Sequence, residues 1–169
     1  MTKNERLDLA GAHLDRVLGF FERVDNKASA LFAIDAALLG VLCLNLRPAD
    51  LSIWYIVVPG ALSVGLLAVS LYFTYRCTFP SLDGGNSSLI YFREIAKRTE
   101  AKFIDEFLAV DEDALAKDML GQIWRNSEIL KIKFDSVKVA FILTAVALVP
   151  WAIFVAATAI SHGQVPALS

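Results

Sequence analysis

The sequence predicts an all-α membrane protein: three transmembrane helices continuous with a cytosolic helical bundle, and two short cytosolic helices between spans two and three. Three observations predict it. Apolar runs at about residues 28–46, 51–75 and 139–160 match the ~20 helical residues that cross a bilayer core, and the third holds no charged residue. The chain is 56% hydrophobic with mean hydropathy +0.54, while its 20% charged residues lie almost wholly outside those runs, a segregation that a bilayer imposes. Apolar residues at alternating spacings of three and four also pass from the charged segments into the first and third runs without a break.

Residues 1–27 are predicted as an amphipathic cytosolic helix. Leu7, Ala10, Leu14, Val17, Phe21, Val24, Ala28 and Leu31 form a heptad seam that enters the first run, so one helix of about 40 residues, roughly 60 Å long, is expected. Pro48 ends it, because proline removes a backbone donor and crowds the preceding turn. Residues 28–75 then form a transmembrane hairpin, with Trp54 and Tyr55 at its outer interface and Tyr72 and Tyr75 at its inner one.

Residues 76–138 form the cytosolic module. Pro80-Ser81-Leu82-Asp83-Gly84-Gly85 is a turn by composition, and Asn86, Ser87 or Ser88 suits the cap of a helix over 88–98. Thr99 caps a second short helix, with Phe103 and Phe107 one turn apart. The acidic break Val110-Asp111-Glu112-Asp113 suits the positive N-terminal end of the last helix. There Ala116, Leu120, Ile123, Ser127, Leu130, Phe134, Val137 and Phe141 form a second seam leading into span three, residues 139–160, before an extracytoplasmic tail at 161–169.

Charge orients the chain and excludes several functions. Residues 1–27 hold five Lys and Arg, the short hairpin one, residues 76–138 ten, and the tail none. The positive-inside rule therefore puts the N-terminus and 76–138 in the cytosol and the C-terminus outside. Five acidic residues share 1–27 with the basic ones, so the segment is not a signal peptide and the first span stays uncleaved. A net charge of −2 excludes a nucleic-acid polymer as partner. Cys43 and Cys77 fall about a membrane thickness apart, too far for a disulfide, and His13 and His162 fall on opposite sides, so no metal site is expected. No nucleophile stands near a base and no cofactor fingerprint occurs, so neither an enzyme nor a cofactor is expected.

A few residues carry chemistry with more than one reading. Asp35, inside span one, is either a pore-lining or proton-sensitive group or a carboxyl hydrogen-bonded across a helix interface. Ala36-x-x-x-Gly40 and Ala61-x-x-x-Gly65 permit close helix approach, between subunits or within one, or have no role, since alanine and glycine are common in membrane helices. Pro150 marks a hinge or a static bend. Lys27 holds a phosphate or lipid headgroup, or else snorkels beside Asp25. Gly84-Gly85-Asn86-Ser87-Ser88 cradles a phosphate or simply starts a capped helix; it lacks the Lys of a P-loop. Lys131, Lys133 and Lys138 obey the positive-inside rule or bind an anionic lipid or ligand.

Two sets of residues go further. Val24-Asp25-Asn26-Lys27-Ala28-Ser29-Ala30-Leu31-Phe32 leads into Ile34-Asp35-Ala36-Ala37-Leu38-Leu39. Ser88-Leu89-Ile90-Tyr91-Phe92-Arg93-Glu94-Ile95-Ala96 is followed by Asp118-Met119-Leu120-Gly121-Gln122-Ile123 and Ile129-Leu130-Lys131-Ile132-Lys133-Phe134. In order and spacing these resemble the transmembrane effector family of Pycsar anti-phage systems, the PycTM type, over about residues 15–160. Ser88 stands where that family usually has Asn, and Asp35 where Asn is more usual. The resemblance implies an effector that binds cyclic CMP or cyclic UMP made by a phage-sensing cyclase, then impairs the bacterial inner membrane and aborts infection. It also implies a cyclic-nucleotide site in the cytosolic bundle, with Tyr91 or Phe92 stacking on the pyrimidine, Lys27 or Lys133 meeting the cyclic phosphate, and Asn86 and Gln122 completing the set. The alternative for Tyr91 and Phe92 is the core of the bundle. The expected partners are that nucleotide, the lipid bilayer and further copies of the chain in a homo-oligomer. Competing readings are a ligand-independent, holin-like pore, a transporter subunit and a scaffold.

Overall fold

The computed structural model describes residues 2–79 and 85–163, so the turn expected over Pro80–Gly84 and the tail beyond Gly163 lie outside the described residues. The described residues form five α-helices and no strand: α1 (Lys3–Asn45), α2 (Trp54–Thr78), α3 (Phe92–Ile95), α4 (Glu100–Ala109) and α5 (Glu112–Ser161). A 3-10 turn, Pro48–Ser52, joins α1 to α2. Three of the helices, α1, α2 and α5, are long and apolar enough to cross a membrane, and the chain is a three-span, all-helical membrane protein. The helices divide into two compact units, one of Val24–Phe79 and Lys133–Ser169, the other of Met1–Arg23 and Pro80–Ile132. Both α1 and α5 supply residues to each unit as single helices.

In the first of these, the membrane unit, polar contacts set the helix directions. Asp25 meets Lys133, Asp35 meets Thr144, and the Leu38 carbonyl accepts from Trp151 Nε1 at 3.1 Å, so α1 and α5 run parallel. Helix α2 runs the other way: Ser70 reaches Asp35, and Gly60 lies against Phe154. Leu42, Ile56, Leu67, Ala147 and Phe154 form an apolar core toward the hairpin end. At that end His162 Nε2 lies 3.1 Å from both carboxylate oxygens of Asp50, tying α5 to the 3-10 turn. The Arg47 N–H, and after it His162, holds Asp50 below the ordinary carboxylate range.

Beside that core the interior of this unit holds a set of small polar residues, while its outside is large and apolar. Asp35, Ser63, Ser70, Thr74, Thr144 and Thr158 are buried, while Phe32, Leu62, Val69, Phe141, Val149 and Ile153 are exposed. That inversion suits hydrocarbon, where burying a large apolar group gains nothing over lipid and an unsatisfied polar group is costly. Helix α5 continues through Pro150, and α2 through Pro59, with the Ser63 hydroxyl donating to the Pro59 carbonyl at 2.7 Å.

The first predicted seam is the buried stripe of α1: all eight positions from Leu7 to Leu31 are buried or half-buried, and Asp35, Leu38 and Leu42 continue it. The second seam holds in part. Ala116, Ile123, Leu130, Phe134 and Val137 are buried or half-buried, but Ser127 is exposed and Leu120 and Phe141 are 57% and 62% exposed; the most buried face of α5 includes Gln122, Lys133, Ser136, Ala140, Thr144 and Ala147. Several of these are polar, so a search for apolar repeats passes them by.

Gly40 and Gly65, the small residues predicted to permit close approach, have open space where a Cβ would stand. Packing within one subunit is therefore not their use. The close approach is at Gly60, where a Cβ would lie 2.9 Å from the Phe154 ring.

Candidate functional site

The helix expected over 88–98 is only Phe92–Ile95; the Ser88 carbonyl, which would accept the Phe92 N–H in a longer helix, accepts from Arg98 Nη1 at 3.1 Å instead. The buried Ser88 hydroxyl accepts from the N–H of Ile90 at 3.1 Å and of Tyr91 at 2.9 Å, and from Gln122 Nε2 at 3.1 Å. It donates to Asp118 at 3.0 Å, and the same carboxylate oxygen accepts the Leu89 N–H at 2.8 Å. Residues 85–91 therefore form a turn latched onto α5 rather than a helix start. Gly85 and Ser87 take positive φ angles of 79° and 63° to make that turn. A Cβ at Gly85 would stand 2.6 Å from the Tyr91 ring and 3.2 Å from Arg125 Nη1, so no larger residue fits there without displacing one of them.

Arg98 closes the turn from the other side. Its guanidinium donates to the carbonyls of Ser87, Ser88 and Glu94, and its Nε pairs with Glu106 on α4 at 2.6 Å. The expected cap Thr99 accepts the Lys102 N–H at 3.4 Å, and in the acidic break before α5 Asp111 accepts the Ala114 N–H at 2.8 Å.

Glu94, buried beneath the turn, is hydrogen-bonded by Lys97 and by the Ser87 N–H, and these contacts, Lys97 first, hold its carboxyl below the ordinary value of 4.5. A depressed folded pKa contributes stability that is present above the unfolded value and lost as pH falls through the folded one. Amide hydrogen exchange over 87–98, corrected for the intrinsic rate, is expected to be flat from about pH 6 to 8 and to accelerate below about pH 4.5. Protection unchanged into that acid range would show that Glu94 does not hold the turn.

Between this turn and α5 lies a polar cleft of about 570 Å³, within the range of small-molecule sites. The turn from Gly85 to Ser88 lines one side; Lys117, Asp118, Gly121, Gln122 and Arg125 line the other. Arg125 Nη1 is buried and has no hydrogen-bond partner among the described residues. Lys117 is exposed at the rim, and Gly121 has open space where a side chain would be.

Of the residues predicted from the sequence, Asn86 and Gln122 line this cleft together. Tyr91 packs its ring on Gly85, edge to face with Phe92 at 5.1 Å, and Phe92 is 64% exposed, not in the core. Lys27 and Lys133 lie in the membrane unit. There the two lead-ins to spans one and three cross-link: Lys133, buried, pairs with Asp25 at 2.6 Å, and Lys27 Nζ lies 5.6 Å from the centre of the Phe134 ring. Sequence reasoning missed Arg125, Asp118 and Lys117. A signal was there, since Asp118, Gln122 and Arg125 fall on one helix face at spacings of four and three.

Asp35 is fully buried. Its two oxygens accept from Ser70 on α2 and Thr144 on α5, each at 2.7 Å, and those hydroxyls lie 3.0 Å from each other. One polar node thus joins all three spans, which matches the expected carboxyl hydrogen-bonded across a helix interface.

The family model described as PycTM, the Pycsar effector protein domain, matches residues 9–160. No curated protein and no solved structure matches the chain.

Proposed function

The chain belongs to the Pycsar effector protein family, and from that premise we propose that it is a membrane effector of anti-phage signalling, activated by a cyclic pyrimidine nucleotide bound in the cleft between the Gly85–Ser88 turn and α5. The observation that carries this reading is Arg125, which lines a polar cleft and has a buried guanidinium nitrogen with no hydrogen-bond partner among the described residues. A buried donor left unpaired costs about 1–3 kcal/mol, which an anionic ligand recovers. Arg125 and Lys117 supply positive charge for the cyclic phosphate. Asn86 and Gln122 supply amides for the edge of the base, and the missing side chain at Gly121 leaves the base room to approach α5. Lys133, also on α5, lies in the membrane unit and is matched by Asp25, so Arg125 and Lys117 are the cationic groups of the cleft.

Helix α5 carries Gln122 and Arg125 on the cleft and Lys133 and Thr144 on its buried stripe further along. A ligand that prefers one packing of α5 therefore biases the membrane unit, provided the two states bind it unequally. The effect proposed is loss of inner-membrane integrity, with the cleft on the cytosolic side as the Lys and Arg distribution requires.

Equilibrium binding of cyclic CMP and cyclic UMP to the detergent-solubilised protein tests the site. At least one is expected to bind at micromolar concentration. Arg125→Ala is expected to weaken it about tenfold or more, the worth of a charge-assisted hydrogen bond, while Lys27→Ala leaves it unchanged. No binding of either nucleotide, or an Arg125→Ala protein that binds as wild type does, would refute the proposal. A membrane-potential dye in cells with and without a pyrimidine cyclase tests the outcome: depolarisation is expected only with the cyclase. Depolarisation without it would favour the ligand-independent pore.

A further inference from the structure

In the membrane unit a second cleft, of about 480 Å³, runs between α1 and α5. Its walls are apolar, from Ile34, Phe134, Val137 and Phe141, and two lysines, Lys27 and Lys138, complete it. Both lysines are exposed, and neither forms an ion pair among the described residues. Asp25, two residues before Lys27, is engaged with Lys133 at 2.6 Å. The cleft therefore carries two lysines outside the ion pairs of the described residues, beside an apolar surface.

Position narrows the ligand. Lys27 and Lys138 are the last basic residues of α1 and α5 before each helix turns apolar. In a membrane protein that level is the headgroup region, and α1 and α5 run from it into the bilayer in parallel. The Lys27 ammonium is also oriented over the Phe134 ring rather than left to extend into solvent. A free phosphate has no use for the apolar walls; an acyl chain does.

We propose that this cleft binds an anionic glycerophospholipid, its phosphate between Lys27 and Lys138 and one acyl chain along Ile34, Phe134 and Phe141. The lipid bridges the two helices that Asp25 and Lys133 already join, so it stabilises the packing at that level. The site is distinct from the polar cleft on α5 and does not depend on the cyclic-nucleotide reading.

The test is native mass spectrometry of the full chain released from nanodiscs of phosphatidylcholine with phosphatidylglycerol. Wild type is expected to retain phosphatidylglycerol in preference to phosphatidylcholine. The Lys27→Gln/Lys138→Gln protein is expected to lose that preference by about fivefold for each lysine removed, while Lys131→Gln behaves as wild type. Equal retention of the two lipids by wild type overturns the proposal without any variant, so it remains falsifiable if the double variant does not fold. A preference that survives the double substitution, or one that Lys131→Gln removes equally, also overturns it. So would displacement of the bound lipid by cyclic UMP, cyclic CMP or inorganic phosphate, which would assign the lysines to a soluble anion.

Discussion

Replacing Asp25 by alanine is expected to destabilise the membrane unit by about 3 kcal/mol, while Lys133→Met costs about 1 kcal/mol or less. The two partners of this ion pair differ in solvation: the Lys133 side chain is 5% exposed and that of Asp25 46%. Removing Asp25 takes away the carboxylate 2.6 Å from a buried ammonium and with it that carboxylate's share in offsetting the ammonium's desolvation cost. Removing Lys133 as methionine fills the same space with an apolar chain and leaves a carboxylate that water reaches. Equilibrium unfolding in mixed micelles measures both. Equal losses, or a larger loss for Lys133→Met, would show that burial does not govern this pair.

Gly60→Ala is expected to cost about 1–3 kcal/mol, and Gly65→Ala nothing. Both glycines lie on α2, five residues apart, and only Gly60 has a neighbour where the methyl would go. That neighbour is the ring of Phe154, itself 2% exposed, so it has little freedom to withdraw. At Gly65 the methyl meets open space, and alanine is the better helix former by up to about 1 kcal/mol. The same unfolding measurement separates them. A neutral Gly60→Ala would mean that the Phe154 contact is loose.

How much of this was legible depended on whether one property of the chain carried the information. The stripe of α1 could be read from Leu7 to Leu31 because its buried residues are all apolar and the 3.6-residue repeat brings them to one face. On the membrane part of α5 the same geometry buries Lys133, Ser136 and Thr144, while Phe141, Val149 and Ile153 face outward. In a bilayer, large apolar side chains are as well placed against lipid as against protein, so apolarity there no longer marks the inside. The helix expected over 88–98 is shortened by contacts that local sequence does not show: Ser88 bonds Asp118, thirty residues away, and its carbonyl accepts from Arg98.

The sequence alone determined the three spans, their order, the cap at Thr99 and the family resemblance, because each rests on length, composition or residues close together in the chain. Only the tertiary structure decided which partners those residues meet. It placed Asn86 and Gln122 on one cleft with Arg125, joined Asp25 to Lys133, and gathered Asp35, Ser70 and Thr144 into one node from three separate helices. A site of that kind is made from side chains distant in sequence, and helix packing alone sets their distances.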